Sequence, residues 1–155
     1  MTAKEKFWEE PVGNLPLQKP VIEKVDSTIV QAIKSMQKNK TGCVLINNNK
    51  NELVGIFTER DVMLHFVGTD LGGETPLSEV MTEAPITLTP ETSVAEVIKF
   101  LGQKKFRHLP IGEDGKILGL LSVRVMVDFI AEHLPHAILN LPPEEGLVSK
   151  DTVGG

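Results

Sequence analysis

The segments 55–61, GIFTERD, and 119–125, GLLSVRV, are two versions of one motif. In each version a glycine is followed by two apolar residues, a hydroxyl residue, one variable residue and an arginine. The last position differs, because the first version ends in Asp61 and the second in Val125. The pattern indicates a duplicated structural unit in which only one copy has an acid at this position.

The similarity extends outward from the motif over most of the chain. The segment 25–46, VDSTIVQAIKSMQKNKTGCVLI, aligns with 90–111, PETSVAEVIKFLGQKKFRHLPI. The apolar residues that coincide are Ile29 with Val94, Ile33 with Ile98, Met36 with Leu101 and Ile46 with Ile111. Two units of roughly sixty residues, each too small to bury its own apolar face, predict a repeat packed against itself.

Each unit shows the same local signals in the same order. Apolar residues at helical spacing follow a hydroxyl residue that can cap a helix, Ser27 or Thr28 in the first unit and Thr92 or Ser93 in the second. The expected strands are 21–23, 43–46 and 53–57, then 86–88, 108–111 and 117–121, with a hairpin turn at Asp114-Gly115. The second helices are expected at 59–66 and 123–133. The order strand, helix, strand, strand, helix predicts a mixed α/β (α+β) fold.

The chain divides at segments rich in turn-forming residues. An N-terminal arm, 1–14, precedes the first unit, 15–67. The linker 68–76, GTDLGGETP, leads to the second unit, 77–134, which is followed by a C-terminal tail, 135–155. Phe7 and Trp8 can anchor the arm either on a partner subunit or on the protein's own body.

Composition and charge exclude several classes of function. The chain has 155 residues, 41% hydrophobic and 24% charged, with a net charge of −5. This acidity argues against general nucleic-acid binding, which favours a basic face. The single cysteine excludes an internal disulfide and a cysteine-based zinc site. No stretch reads as a signal peptide or a membrane span, so we expect a cytoplasmic protein.

Asp61 in the repeated motif has two chemical interpretations. In the first, Thr58 caps the helix that begins there and Asp61 supports it from the first turn, which is capping chemistry alone. In the second, the helix start is an anion site, and the carboxylate accepts hydrogen bonds from the vicinal hydroxyls of a ribose. The local sequence leaves both interpretations open, although repetition on a matching scaffold strengthens the second.

The chain resembles a pair of CBS domains, named for cystathionine β-synthase, which together form a Bateman module. The resemblance covers about 15–134. It lies in the duplicated element order, the run VMTEAPITLTPETSVAEVI, the strand FRHLPI and the repeated glycine motif. It implies two units packed through their sheets about a pseudo-twofold axis, and often a homodimer. It also implies two clefts, which in this family commonly bind AMP, ADP or ATP and sometimes S-adenosylmethionine.

Transferred residue by residue, the resemblance implies one well-formed cleft. The first unit would contribute Thr58, Arg60 and Asp61, with Asp61 on the ribose hydroxyls and Thr58 on the ribose-phosphate side. The second unit would contribute Ile86 and Thr87 at the base, Phe106 and Pro110 as apolar walls, and Arg107 and His108 at the phosphates. The basic cluster of Lys104, Lys105 and Arg107 is then explained by attraction of phosphate into the cleft.

A second, weaker cleft is implied around Ser122, with Ile22, Thr41, Gly42 and Cys43. It departs from the family pattern because Val125 cannot accept a hydrogen bond and because Thr41-Gly42 stands where the other unit has Arg107. Loss of a charge-assisted hydrogen bond costs roughly 1.5–3 kcal/mol. We therefore expect this cleft to be weak or empty.

The sequence leaves three classes of function open. The first is a regulatory module that senses an adenosine nucleotide and acts through an unknown effector protein. The second is a structural dimerisation module with a vestigial cleft. The third, an enzyme, has least support, since Glu59 and Asp61 point to different sides of a helix and no catalytic constellation is evident. A metal site at His133 and His136 is improbable because Pro135 interrupts their spacing and no further ligand is evident.

Overall fold

The computed structural model describes residues 3–103 and 106–133 and confirms the mixed α/β architecture of two repeated units. The helices are α1 (Ala3–Glu9), α2 (Ile29–Asn39), α3 (Glu59–Asp61), α4 (Val94–Gln103) and α5 (Val123–His133). The strands are β1 (Ile22–Lys24), β2 (Cys43–Asn47), β3 (Leu53–Thr58), β4 (Thr82–Glu83), β5 (His108–Glu113) and β6 (Lys116–Ser122). Short 3₁₀ turns lie at Val12–Asn14 and Leu77–Glu79, and α3 continues as a π-helical segment, Val62–Val67.

The two sheets follow one plan. In the first unit the strand order is β1-β2-β3-β4, with β1 parallel to β2 and the other pairs antiparallel. In the second unit β5 and β6 form an antiparallel hairpin whose turn places Asp114 and Gly115 at positive φ. Single bridges, Leu88 with Ile111 and Gln18 with Leu120, stand on either side of this hairpin. They occupy the places that β1 and β4 occupy in the first unit.

The first strand of each unit differs from the expectation. β1 begins one residue later than expected, and its counterpart at 86–88 is reduced to the bridge at Leu88. Pro110 explains why the segment 86–88 is reduced to a single bridge. Its counterpart Leu45 donates its N–H to the Val21 carbonyl at 2.8 Å, whereas proline has no N–H to donate. Two backbone hydrogen bonds, both 2.9 Å, then join the described segment 86–88 to β5. The Leu88 N–H donates to the Pro110 carbonyl, and the Gly112 N–H donates to the Leu88 carbonyl.

Each unit completes its core with residues that lie at or just before the start of the other unit in sequence. Leu77 and Val80 lie at the start of the second unit but are buried in the first, in one cluster with α2 and β3. Val12 and Leu15 lie at the junction of the N-terminal arm and the first unit but are buried in the second, in one cluster with α4 and α5. Because the segments are exchanged in this way, neither unit has a complete apolar core alone.

The N-terminal arm packs on the protein's own body. Phe7 is buried and stacks on Phe129 of α5, with ring centroids 5.4 Å apart. Trp8 meets Phe7 edge to face at 5.0 Å. Of the two anchorages considered for these aromatic residues, the structure therefore supports the intramolecular one.

The two sheets meet through a small apolar seam. Cys43 and Leu45 of β2 and Leu120 of β6 form its buried centre, with Leu53, Ile56 and Ile117 packed around them. All five residues of β2 are buried, because alternate side chains face the helices on one side and the seam on the other. The seam fixes how the units face each other.

The glycine of each repeated motif lies where the exchanged segment crosses it. A Cβ on Gly119 would lie 2.6 Å from the Leu17 Cβ, and one on Gly55 would collide with the Met81 side chain. Leu17 cannot retreat easily, because the neighbouring Gln18 exchanges two backbone hydrogen bonds of 2.9 Å with Leu120. The repeated glycine is thus needed for close packing.

We predict that Gly119→Ala lowers the free energy of unfolding by about 1–3 kcal/mol, the usual cost of forcing an extra methyl group into a packed site. Gly102→Ala is the matched control, because Gly102 lies in α4 with open space around its Cα. It should stabilise the protein by about 0.5–1 kcal/mol through helix propensity. Urea unfolding of both variants measures the difference; equal stability of the Gly119 variant and the parent would contradict the packing argument.

Candidate functional site

A cavity of about 790 Å³ opens between the two units. Eight of the nine residues predicted for the first cleft line it: Thr58, Arg60, Asp61, Ile86, Phe106, Arg107, His108 and Pro110. The ninth, Thr87, does not, and its methyl group lies 3.2 Å from the point where Gly112 would carry a Cβ. Alternation along the extended chain therefore turns Ile86 to the cavity and Thr87 away from it. We call this cavity the cleft.

Several lining residues were not predicted from the sequence. Gly42 was assigned to the second cleft but lines the first, where it faces His108. The others are Ile56, Glu59, Met63, Leu64, Thr82, Glu83, Ala84, Pro85 and Leu109. A signal for Glu83–Pro85 was present, because these residues directly precede Ile86 in sequence.

Asp61 is part of a reciprocal cap at the start of α3. Its N–H donates to the Thr58 hydroxyl at 3.4 Å. Its Oδ2 in turn accepts from the Thr58 N–H at 2.8 Å and from the Thr58 hydroxyl at 3.1 Å. Both hydrogen bonds to the carboxylate end on Oδ2, so capping and ligand binding are compatible: the cap orients the side chain and Oδ1 can face the cleft.

The same kind of cap is complete at the starts of α2 and α4 and half formed at the start of α5. Thr28 with Gln31 and Ser93 with Glu96 make complete reciprocal caps, which selects Thr28 and Ser93 from the alternatives in the sequence. At α5 only half the cap exists, because the Val125 N–H donates to the Ser122 hydroxyl at 3.2 Å and valine has no group to return the bond. The hydroxyl of the motif is thus a helix cap in both copies.

The opposite wall combines an aromatic face with basic groups. Phe106 stacks on Phe100 of α4 with centroids 5.6 Å apart and an interplanar angle of 11°, which holds one ring face beside the cleft. Arg107 and His108 follow directly, Arg107 exposed and His108 half-buried. The side chains of Lys104 and Lys105 lie outside the described residues.

His108 and Glu59 face each other across Gly42. The Glu59 Oε2 and the His108 Nε2 each lie 3.3 Å from the point where Gly42 would carry a Cβ. The Glu59 N–H donates to the Gly42 carbonyl at 3.0 Å, which fixes the start of α3 beside this wall. Burial lowers the pKa of His108 below its ordinary value of 6.5, with the nearby Glu59 opposing this effect and Arg107 adding to it.

Comparison with known proteins identifies the fold family. The CBS domain family matches the chain twice, over residues 12–68 and 77–132. The chain belongs to the CBS domain family. Over 125 residues it is 34% identical to the CBS domain-containing protein CBSCBSPB1 of Arabidopsis thaliana, a match that covers 79% of this chain and 23% of that protein. The chain thus spans about a quarter of that relative's length.

Solved structures share this arrangement. An uncharacterized conserved protein from Pyrococcus horikoshii superposes with a TM-score of 0.73 at 23% identity, covering 78% of this chain and 92% of that one. A CBS domain protein from Pyrobaculum aerophilum, complexed with AMP, superposes with a TM-score of 0.68 at 24% identity, covering 74% and 88%. These likenesses establish the fold of the CBS pair.

The CBS pair has another, smaller cavity of about 350 Å³. It is lined by Gln18, Lys19, Pro20, Val21, Asn39, Lys40 and Thr41. Of the five residues predicted for the second cleft, only Thr41 lines it. Its lining corresponds to one wall of the first cleft, without the helix start that would complete it.

The remaining residues predicted for the second cleft lie elsewhere. Cys43 is buried in the seam, where burial and then the nearby Glu59 raise the pKa of its thiol to about 12. Ser122 is buried and occupied as the cap of α5. Ile22 is exposed and Gly42 faces the first cleft. The structure therefore does not bring these residues together around one cavity.

The described residues hold neither a metal-binding cluster nor a helix that could span a membrane. Within 3–103 and 106–133, no group of three or more histidine, cysteine, aspartate or glutamate side chains is placed to share a metal ion. None of the helices in this part of the chain combines the length and hydrophobicity needed to cross a bilayer. His136, considered with His133 as a metal ligand, lies outside the described residues.

We predict that His108 makes the CBS pair less stable in mild acid. The unfolded chain takes up the imidazole proton near pH 6.5, whereas the native state resists it because the folded pKa is lower. The titration of His108 therefore leaves stability unchanged above pH 6.5 and lowers it as the pH drops below 6.5 towards the lowered pKa. Urea unfolding at about pH 7.5 and about pH 5.5 should reveal this loss in the parent protein.

Between these two pH values the free energy of unfolding should fall less in the His108→Gln variant than in the parent. In His65→Gln, whose side chain lies outside this wall, it should fall as much as in the parent. A decline that is identical in the parent and the His108 variant would show that other groups cause it.

Proposed function

We propose that this CBS pair is a ligand-sensing regulatory module that binds an adenosine nucleotide such as AMP, ADP or ATP in the cleft and catalyses no reaction. One observation carries the proposal. The cleft brings a capped carboxylate, Asp61, opposite an apolar wall and two basic side chains that come from the other unit. A ribose, a purine and a phosphate need these three kinds of surface.

The ribose site is centred on Asp61. Its Oδ2 is held by two hydrogen bonds from Thr58, so the carboxylate is oriented before any ligand arrives. An acid fixed in this way can accept hydrogen bonds from vicinal hydroxyls, as acids do with the ribose of bound dinucleotides. Preorganisation lowers the entropic cost of binding.

The base and the phosphate follow from the wall opposite Asp61. Ile86, Phe106 and Pro110 offer apolar contact for a purine, and the stack of Phe106 on Phe100 keeps that surface rigid. Arg107 and His108 would receive the phosphate, with Arg60 approaching from the first unit. The AMP held by the CBS domain protein of Pyrobaculum aerophilum supports a nucleotide of this kind.

The output requires a partner. Met63, Leu64 and Val67 are exposed on the segment that continues α3, and Val123 and Val127 are exposed on the corresponding α5. These surfaces support a homodimer or contact with an effector protein. S-adenosylmethionine is the alternative ligand, and a structural dimerisation module with an unused cleft is the alternative function, favoured by the same apolar surfaces.

The first experiment is a thermal-shift screen against AMP, ADP, ATP, S-adenosylmethionine and NAD. A ligand at a hundred times its Kd should stabilise the protein by about 2.7 kcal/mol. Isothermal titration of the responding ligand should then give one dominant site per chain, because the second cavity lacks a helix-start wall. No shift with any adenosine ligand would favour the structural alternative, and two equal sites would contradict the asymmetry.

We predict that Asp61→Ala weakens binding of the responding nucleotide by about ten- to a hundredfold, the effect of losing a charge-assisted hydrogen bond. Because this change also removes a helix cap, Glu96→Ala serves as the matched control: it removes the corresponding acid of the Ser93 cap, away from the cleft. The control should bind the nucleotide as the parent does. Undiminished binding by the Asp61 variant would refute the ribose assignment.

A further inference from the structure

The charges that line the cleft are unusual for a site that would hold several phosphates. Three carboxylates, Glu59, Asp61 and Glu83, and two guanidinium groups, Arg60 and Arg107, belong to the described lining. The sixth titratable group, His108, is half-buried and resists protonation. The described lining therefore has no surplus of positive charge, whereas each added phosphate brings further negative charge.

Glu59 is the carboxylate best placed to act on the phosphate end. Its Oε2 and the His108 imidazole face the same point above Gly42, each 3.3 Å from it. The hydrogen bond from the Glu59 N–H to the Gly42 carbonyl keeps this backbone in place. The carboxylate acts electrostatically on both His108 and Cys43, so its field reaches this wall of the cleft.

The second copy of the motif supports a role for this acid. Glu59 corresponds to Val123, just as Asp61 corresponds to Val125. Both acids thus belong to the copy that lines the larger cleft, and neither occurs in the other. Asp61 has a structural task as a cap partner, but no hydrogen bond to the Glu59 side chain is found within 3–103 and 106–133. Capping therefore does not account for Glu59.

We infer that Glu59 is a specificity-determining residue that restricts the cleft to adenosine ligands with a single phosphate. This inference rests on the proposed function, in which the first phosphate lies at Arg107 and His108. A further phosphate extending past His108 approaches the Glu59 carboxylate, and like charges in a partly buried site repel strongly. A single phosphate is held by Arg107 and His108 and ends before it reaches the Glu59 carboxylate.

The test compares AMP, ADP and ATP by isothermal titration with the parent protein and Glu59→Gln, at low salt and with EDTA to remove divalent cations. The parent should bind AMP most tightly and ATP least. The variant should bind ATP about tenfold more tightly relative to AMP, since glutamine keeps the size of the side chain and removes its charge. Added salt should narrow the parent's discrimination, because screening weakens the repulsion.

Two variants act as matched controls. Glu96→Gln removes the same charge from the first turn of α4, outside the cleft, and should leave the ratio of ATP to AMP affinity unchanged. Glu83→Gln removes a charge from the cleft but not from the His108 wall, and should change the ratio less than Glu59→Gln does.

The outcomes separate the two proposals. Binding of AMP and ATP with equal affinity by the parent, or a ratio that Glu59→Gln leaves unchanged, overturns the role of Glu59 and leaves the nucleotide site intact. An equal change of the ATP-to-AMP affinity ratio in Glu83→Gln also overturns the role of Glu59, because the total charge of the cleft would then cause the effect. Failure of the parent to bind any adenosine ligand overturns the proposed function and the inference together.

Discussion

The apolar seam between the two sheets is the contact on which the rest of the structure depends. Each sheet has one face covered by helices and another that would remain in water if its unit stood alone, and burial of such surface is the main favourable term in folding. Cys43 and Leu45 meet Leu120 across the seam. Once the sheets are packed in this way, the end of β3 and the start of β5 lie on opposite sides of one cleft. The site is therefore a product of the duplication, since neither unit contains both walls.

The asymmetry of the repeated motif follows from burial. Asp61 is only partly buried and faces the cleft, where water or a ligand can solvate its charge. Val125 lies in one apolar cluster with Phe7, which comes from the N-terminal arm, and Phe129. An acid at position 125 would lose its hydration without gaining a cation, which is strongly unfavourable. The arm that completes the core of the second unit thus excludes a carboxylate from the second copy of the site.

Much of this arrangement could be predicted from the sequence because it depends on local chemistry that repeats. The motif, the hydroxyl caps and the apolar periodicity predicted the element order, and the resemblance to CBS domain pairs pointed to eight of the residues that line the cleft. What was missed depends on contacts between distant segments. The shortened strand before Leu88 reflects the missing N–H of Pro110 in the neighbouring strand. The burial of Leu77 in the first unit and the position of Gly42 in the cleft depend on how the units are exchanged and packed, which no local pattern reports.

The position of the cleft also explains how occupancy could be transmitted. Asp61 ends α3, and the segment that continues it exposes Met63 and Leu64, which line the cleft at the same time. A molecule in the cleft therefore contacts both units and the root of an exposed apolar surface. It can change that surface only by the difference between its affinities for two arrangements of the units.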